Sequence, residues 1–222
     1  MRSRRRVWPL LLALCAGALG ACQLPFRRPP RPIWVHAWRA ADRELTPVRR
    51  VVVLQFIGES IPDQSLASLR EAFLAELATA QVFEAVPLPD GAGDSRGIYE
   101  AAGKGSISSA GLVEIGKRYG ADGVLLARVT SFRPWLPPVI GLNILLVSVH
   151  TGAAVWTADQ TFDASREDVR EDVLHYSVTK LAPDPSLHEA EMMLLSPRRF
   201  ARYASARIVA SLLLASPAPP RD

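Results

Sequence analysis

The sequence predicts an α/β protein of the α+β kind, in which helices pack on a single small mixed β-sheet that ends in an antiparallel meander. Apolar, β-branched runs alternate with segments of helical period, which is typical of sheets covered by helices. The last three such runs are joined by short links, which favours antiparallel neighbours. Neither a repeat nor a second domain is indicated, so the chain is expected to form one core.

The domain is predicted to begin with a strand, a helix and a second strand. Residues 51–56 (VVVLQF) are a continuous apolar run, as a buried strand requires. Asp63 is placed to cap the helix, because its carboxylate can accept hydrogen bonds from the first free N–H groups. Residues 82–86 form the second strand. The helix has apolar residues at helical spacing: Leu66, Leu69, Phe73 and Leu77.

A loop and a second helix lead to the central strand. Residues 88–97 contain turn-forming residues without periodicity and are predicted to be a loop. Residues 109–119 have helical apolar spacing, and Gly120 stands where helices commonly end in the left-handed conformation. A third strand is expected over residues 123–132.

The third strand opens the predicted meander. A proline-rich link over residues 133–138 (RPWLPP) leads to a fourth strand at about residues 140–149. A tight turn at residues 151–152 leads to a fifth strand over residues 153–162. Two aromatic residues share one face of this strand: Trp156 and Phe162.

Two helices are predicted to complete the domain. The first covers residues 166–180, and its interleaved acidic and basic residues indicate a solvated face. That face comprises Glu167, Asp168, Glu171 and Asp172 with Arg166 and Arg170. The second helix begins at Ser196, with Pro197 in the first turn, where proline is tolerated. Its apolar stripe consists of Phe200, Tyr203, Ile208 and Leu212.

The amino-terminal residues have the anatomy of a secretory signal peptide. Arginines precede an apolar stretch over residues 7–19, which is short of the roughly 20 residues that span a bilayer. Residues 19–22 (LGAC) resemble the lipobox of bacterial lipoproteins, which implies cleavage between Ala21 and Cys22 and lipidation of Cys22. The alternative is a plain signal peptide in which the cysteine is incidental.

These features divide the chain into four parts. Residues 1–21 are the signal peptide, and residues 22–46 are the lipidated terminus with a tether rich in proline and arginine. Residues 47–216 form the α/β domain, and residues 217–222 are expected to be a disordered tail. Gln23 follows the lipidated cysteine, and the absence of aspartate there resembles the default sorting of lipoproteins to the outer membrane. We therefore expect membrane anchoring at the periplasmic face of the outer membrane.

The charge of the processed chain argues against nucleic-acid binding. The sequence has 26 basic and 22 acidic residues, and four of the arginines precede the cleavage site, so the mature chain is balanced. Without net positive charge there is no electrostatic footprint for nucleic acid. Because Cys15 leaves with the signal peptide and Cys22 is acylated, no thiol is expected for a disulfide or a metal.

Four segments carry a resemblance to a known superfamily: residues 50–56, 81–86, 117–125 (KRYGADGVL) and 151–156. In this order they resemble the envelope lipoproteins related to the curli channel subunit CsgG and the peptidoglycan-synthase activator LpoB. Their common core is similar to the N-terminal domain of TolB. The resemblance implies a non-enzymatic module that binds an envelope protein, either a cell-wall synthase or an assembly component. The resemblance covers about residues 47–165. The sequence contains no pair of segments that corresponds to the long amphipathic hairpins of the curli subunit.

Motifs for catalysis or metal binding are incomplete. Residues 58–62 (GESIP) lack the final glycine of a hydrolase nucleophile elbow. The glycine-rich stretch around Lys104 lacks the serine or threonine that must follow the lysine of a phosphate-binding loop. Residues 188–192 (HEAEM) lack the second histidine of a zinc-protease helix. The sequence therefore predicts no enzyme, no catalytic residue, no metal site and no cofactor.

The link between the third and fourth strands is the candidate partner-binding site. It presents Arg133, Trp135 and Leu136 on a short, stiff loop. Tryptophan and arginine are enriched at binding hot spots, and proline lowers the cost of ordering a loop. The alternative is that Trp135 folds back as a lid on the core. Trp34 and Trp38 invite the same two interpretations.

Two functions follow from these observations. The first is a lipid-anchored periplasmic protein-binding module, such as an activator of peptidoglycan synthesis. The second is a homo-oligomeric component of a secretion, flagellar or other appendage assembly apparatus. The short links between the strands favour the first.

Overall fold

The structure, a computed structural model, describes residues 33–89, 109–180 and 187–214. Its strands are β1 (His36–Arg39), β2 (Arg50–Val53), β3 (Ile57–Gly58), β4 (Glu84–Pro87), β5 (Gly123–Arg133), β6 (Val139–Ser148) and β7 (Ala154–Asp163). Its helices are α1 (Asp42–Leu45), α2 (Asp63–Ala80), α3 (Ser109–Tyr119), α4 (Glu167–Lys180), α5 (Leu187–Leu195) and α6 (Pro197–Leu214). The strands form one mixed sheet in the order β1-β7-β6-β5-β2-β4, with β3 beside β5. The predicted fold class is confirmed.

The parallel half of the sheet is built around β2, which lies between β4 and β5 and is parallel to both. Val51, Val52 and Val53 are fully buried, because helices cover both faces of the sheet here. The predicted strand over residues 51–56 ends earlier, at Val53. The chain then shifts along β5, where β3 pairs Ile57 with Arg128.

The antiparallel half is the predicted meander of β5, β6 and β7, which is confirmed. Gly152 has a φ of 70° in the turn between β6 and β7, a left-handed conformation that glycine adopts without a steric cost. Trp156 and Phe162 are both fully buried on one face, as their even spacing predicts.

Helices α2, α4 and α6 contribute to the larger core cluster on one face of the sheet. The predicted apolar stripe of α6 is confirmed, and its members are all buried: Phe200, Tyr203, Ile208 and Leu212. On the other face, α3 places Leu112 and Ile115 against Val124 and Leu126 of β5. The described members of this second cluster pack against the first residues of β5 and do not reach its last residues.

Three features differ from the sequence analysis. Residues 36–39, assigned to the tether, form β1 against β7, since pairing across 120 residues leaves no local signal in so short a strand. Helix α5 was not predicted, although it contains the incomplete zinc-protease pattern. Asp172, assigned to a solvated helix face, is fully buried. Asp172 is buried because it lies on the same face of α4 as the apolar residues, and the alternation of charges along the sequence does not show this.

Candidate interaction surface

The hairpin of β5 and β6 extends beyond the parallel half of the sheet. Pairing between β2 and β5 ends at Leu125, and β3 pairs with β5 only as far as Val129. Residues 131–133 pair with β6 on one side, and no described strand pairs with their other side. A register shift between Val129 and Ser131 also kinks this part of the strand. The hairpin therefore carries its turn, residues 134–138, away from the parallel strands.

Hydrogen bonds hold this turn, which we call the hairpin tip, in place. The Arg133 Nε–H donates to the carbonyl oxygen of Pro137 over 2.8 Å, which closes the turn from inside. The backbone N–H of Ala164 donates to the carbonyl oxygen of Pro138 over 3.0 Å. Arg133 Nη2 also lies 3.5 Å from Asp163 Oδ1, at the end of β7. The tip is thus fastened to two neighbouring strands.

Asp163 is itself fixed as a carboxylate. Its Oδ1 accepts hydrogen bonds from the Ser165 hydroxyl at 2.7 Å and from the Ser165 backbone N–H at 2.9 Å. The Ser165 hydroxyl, its N–H group and the positive charges of Arg133 and Arg166 hold the pKa of Asp163 below its usual value, although burial opposes this. Arg133 therefore faces a charged partner at neutral pH and braces the tip.

The apolar side chains of the tip face solvent. Trp135 is 68% exposed and Leu136 is 56% exposed. The interpretation of Trp135 as a lid on the core is therefore wrong. The exposed side chains lie on a turn with restricted backbone freedom, so little entropy remains to be lost when a partner orders them. The structure is compatible with the predicted partner-binding role of Arg133, Trp135 and Leu136, which stays a prediction.

The two other tryptophans near the tether differ from each other. Trp34 is 81% exposed. Trp38 is half-buried against the main core cluster and stabilises β1. Residues 1–32 lie outside the described part of the chain, and with them the predicted cleavage at Ala21 and the lipid attachment at Cys22.

A cleft of about 570 Å³ lies beside the far half of β5. Residues 57–61 form one wall and residues 128–132 form the other. Ser60 turns the chain away from β5 with a φ of 57°, a left-handed conformation that is uncommon for serine. Residues 58–62, which match a nucleophile elbow only in part, therefore form the end of β3 and the turn that precedes α2.

The aspartate of the YGADG motif has a structural role. Asp122 Oδ2 accepts hydrogen bonds from the backbone N–H groups of Arg49 and Arg50, each over 3.0 Å, and Oδ1 lies 3.2 Å from His150 Nε2. Burial raises the pKa of Asp122, but these bonds and His150 outweigh it and leave the pKa below its usual value. The carboxylate therefore joins the starts of β2 and β5. Gly120 has a φ of 60° just before it, as predicted for the end of α3.

The sequence analysis missed a buried polar cluster between α4 and α6. Asp172 Oδ2 accepts hydrogen bonds from the Tyr203 hydroxyl at 2.6 Å and from Arg207 Nε at 2.7 Å. Arg207 Nη2 donates to Asp172 Oδ1 over 2.8 Å, which makes the pair bidentate. Burial, with the charge of Asp172, raises the pKa of the Tyr203 hydroxyl, which therefore remains a donor. The sequence did contain a signal for the burial of Asp172, because this residue lies in the same helical stripe as Val169, Val173 and Tyr176.

No helix in residues 33–89, 109–180 and 187–214 is long and apolar enough to cross a membrane. The same residues contain no group of three or more His, Cys, Asp or Glu side chains that could hold a metal ion.

Comparison with known proteins gives structural neighbours only. No protein-family model matches the chain, and no curated protein matches it. The chain is similar to a PelC dodecamer from Paraburkholderia phytofirmans, with 14% identity, 81% of this chain and 98% of that chain covered, and a TM-score of 0.47. It is also similar to a lipoprotein from Neisseria meningitidis (15% identity, 51% and 81% covered, TM-score 0.36). A third neighbour is the LpoB C-terminal domain from Salmonella enterica (15% identity, 55% and 91% covered, TM-score 0.32). At this level of likeness, neither an oligomeric state nor a partner transfers to this chain.

Proposed function

We propose that this protein is a lipid-anchored binding module of the bacterial cell envelope, which docks on a partner protein through the hairpin tip. The observation that carries the proposal is the exposure of Trp135 and Leu136 on a braced turn. Large apolar side chains are kept in water at a cost, and a partner that covers their exposed parts would recover about 25 cal/mol for each Å² of apolar surface buried. A tryptophan at the centre of a small patch is typical of a binding hot spot.

The remaining parts of the proposal rest on the sequence. The lipobox of residues 19–22 supplies the anchor, and the family resemblance supplies the periplasmic, non-enzymatic role. An activator of peptidoglycan synthesis is the specific function that we favour. An oligomeric component of a secretion or appendage apparatus is the alternative, in which the tip would contact another copy of the chain.

The test is photo-cross-linking in intact cells from p-benzoylphenylalanine placed at Trp135, followed by mass spectrometry. We expect the cross-linked product to be an envelope protein such as a cell-wall synthase. Cross-links to the same chain would favour the oligomeric alternative. The absence of any product, with the protein correctly processed and anchored, would contradict docking through the tip.

A matched substitution pair makes the test quantitative. Leu136→Ala removes an apolar side chain that is 56% exposed on the tip, whereas Leu213→Ala removes one that is 58% exposed on α6. We expect Leu136→Ala to reduce the yield of the cross-link by about tenfold, the size of a modest hot spot, and Leu213→Ala to leave it unchanged. Equal effects of the two substitutions would contradict a specific role for the tip.

A further inference from the structure

The far half of β5 has a free edge. Beyond Val129, the strand is paired with β6 alone among the described residues, because Ser60 turns the preceding strand away. An edge of this kind presents unpaired backbone N–H and C=O groups, which are a template for another extended chain. The cleft of about 570 Å³ is lined by this part of β5 and by β3 with the turn that follows it. A further strand could therefore occupy the position that β3 leaves after Gly58.

The walls of the cleft suit an extended polypeptide. Ile57 and Ile61 are half-buried and give one wall an apolar lining, and Phe132 does so on the other. Arg128 is exposed at the cleft, and its guanidinium makes no hydrogen bond or ion pair with another described residue. Arg128 lies two residues before the free edge begins, and its unpaired guanidinium favours an acidic side chain at the near end of the incoming segment.

We propose that the cleft receives an extended segment of the partner protein, which adds as a strand to the free edge of β5 and places an acidic side chain near Arg128. This inference rests on the proposed function and deepens it. The free edge runs through Phe132 and Arg133 directly into the hairpin tip, so one partner can cover both surfaces without a break. Main-chain hydrogen bonds then contribute affinity, while the cleft and Arg128 select the side chains.

The experiment uses the full-length, lipidated protein in intact cells. The photo-reactive residue p-benzoylphenylalanine replaces either Glu59 on one wall or Thr130 on the other, since both side chains are exposed and line the cleft. A control probe replaces Glu71, which is exposed on α2 and does not line the cleft. Mass spectrometry then identifies the cross-linked peptides, and copies of this chain with a distinct mass separate contacts within a chain from contacts between copies.

We expect probes at Glu59 and Thr130 to reach the same short stretch of one partner protein, and the probe at Glu71 not to reach it. Arg128→Glu should lower the yield from Thr130 about fivefold or more, because it replaces an attractive contact with a repulsive one, whereas Arg170→Glu on α4 should not. Peptides that are distant in the partner sequence, or unaffected by Arg128→Glu, would overturn the proposal.

Other outcomes separate this inference from the proposed function. Cross-links from Trp135 to a partner, with none from either wall of the cleft, would leave docking through the tip intact and overturn strand addition. Links from the cleft to residues 90–108 of the same chain, or to a second copy, would also overturn it. If neither the tip nor the cleft yields a product in the processed, anchored protein, both proposals fail.

Discussion

Asp172 shows how one residue can fasten two helices. Its carboxylate is fully buried, yet it receives donors from Tyr203 and Arg207, so the cost of removing it from water is offset. The Arg207 guanidinium also lies 5.4 Å from the ring centroid of Tyr176 and 5.7 Å from that of Tyr203. These cation–π contacts cover the outer side of the ion pair. Removal of any member should therefore affect the others.

We predict that Asp172→Ala lowers the free energy of unfolding by about 3 kcal/mol, because it leaves the buried Tyr203 hydroxyl and the partly buried Arg207 charge without their acceptor. Denaturant titration of the domain followed by circular dichroism measures the change. Asp168→Ala is the control on the same helix, since Asp168 pairs with Arg166 on the surface. It should leave the midpoint nearly unchanged. Similar losses for the two substitutions would contradict the role of burial.

At the scale of elements, the β5–β6 hairpin depends on close contact at Gly141. A Cβ built on Gly141 would collide with Thr130 Oγ1 and would lie 3.0 Å from Thr161 Oγ1 on the other side. Gly141 therefore lets three strands approach where the register of β5 shifts. This part of the hairpin carries both the hairpin tip and the free edge of β5, so its geometry bears on both proposed surfaces.

We predict that Gly141→Ala destabilises the domain by about 1–3 kcal/mol through overpacking. The double substitution Gly141→Ala/Thr130→Ala should recover part of the loss, since it removes the hydroxyl that the new methyl group meets. Thermal unfolding of the variants measures both effects. If the double substitution merely adds the two separate losses, the steric explanation is wrong.

The helices and strands that were predicted correctly have a clear apolar period in their own sequence. Strand β1, which was missed, has no such period. Helix α2 shows four apolar positions at helical spacing, and the structure confirms a helix there. The prediction that Asp63 caps it is wrong, because Pro62 is the N-cap, Asp63 is the first helical residue and no side chain caps the helix. Strand β1 has four residues and gains its structure from β7, so no local period reveals it. The cleft exists because β3 separates from β5 after Gly58. That point is set by the pairing register between two segments far apart in the sequence, so no local pattern reveals it. The composition of the hairpin tip suggested a binding loop but could not decide whether Trp135 is exposed, because tryptophan is highly buried on average although rarely buried completely.

At the scale of the whole molecule, both proposed surfaces require the domain to be held near the membrane. The proposal assigns attachment to the lipid at Cys22, on the basis of the lipobox pattern of residues 19–22. The tether from Cys22 to Pro32 holds four prolines, which favour an extended spacer. Partner proteins would therefore be sought close to the bilayer.

We predict that Cys22→Ser abolishes lipidation and moves the protein from the membrane fraction to the soluble fraction, or leaves it as the uncleaved precursor. Cys15→Ser provides a matched control, because Cys15 lies within the predicted signal peptide and should be removed with it. Fractionation and intact-mass measurement distinguish the lipidated form from the precursor. Membrane attachment of the Cys22→Ser protein in its cleaved form would show that another part of the chain binds the membrane. In that case the lipid at Cys22 would not be what holds the protein at the membrane, and this part of the proposed function would be wrong.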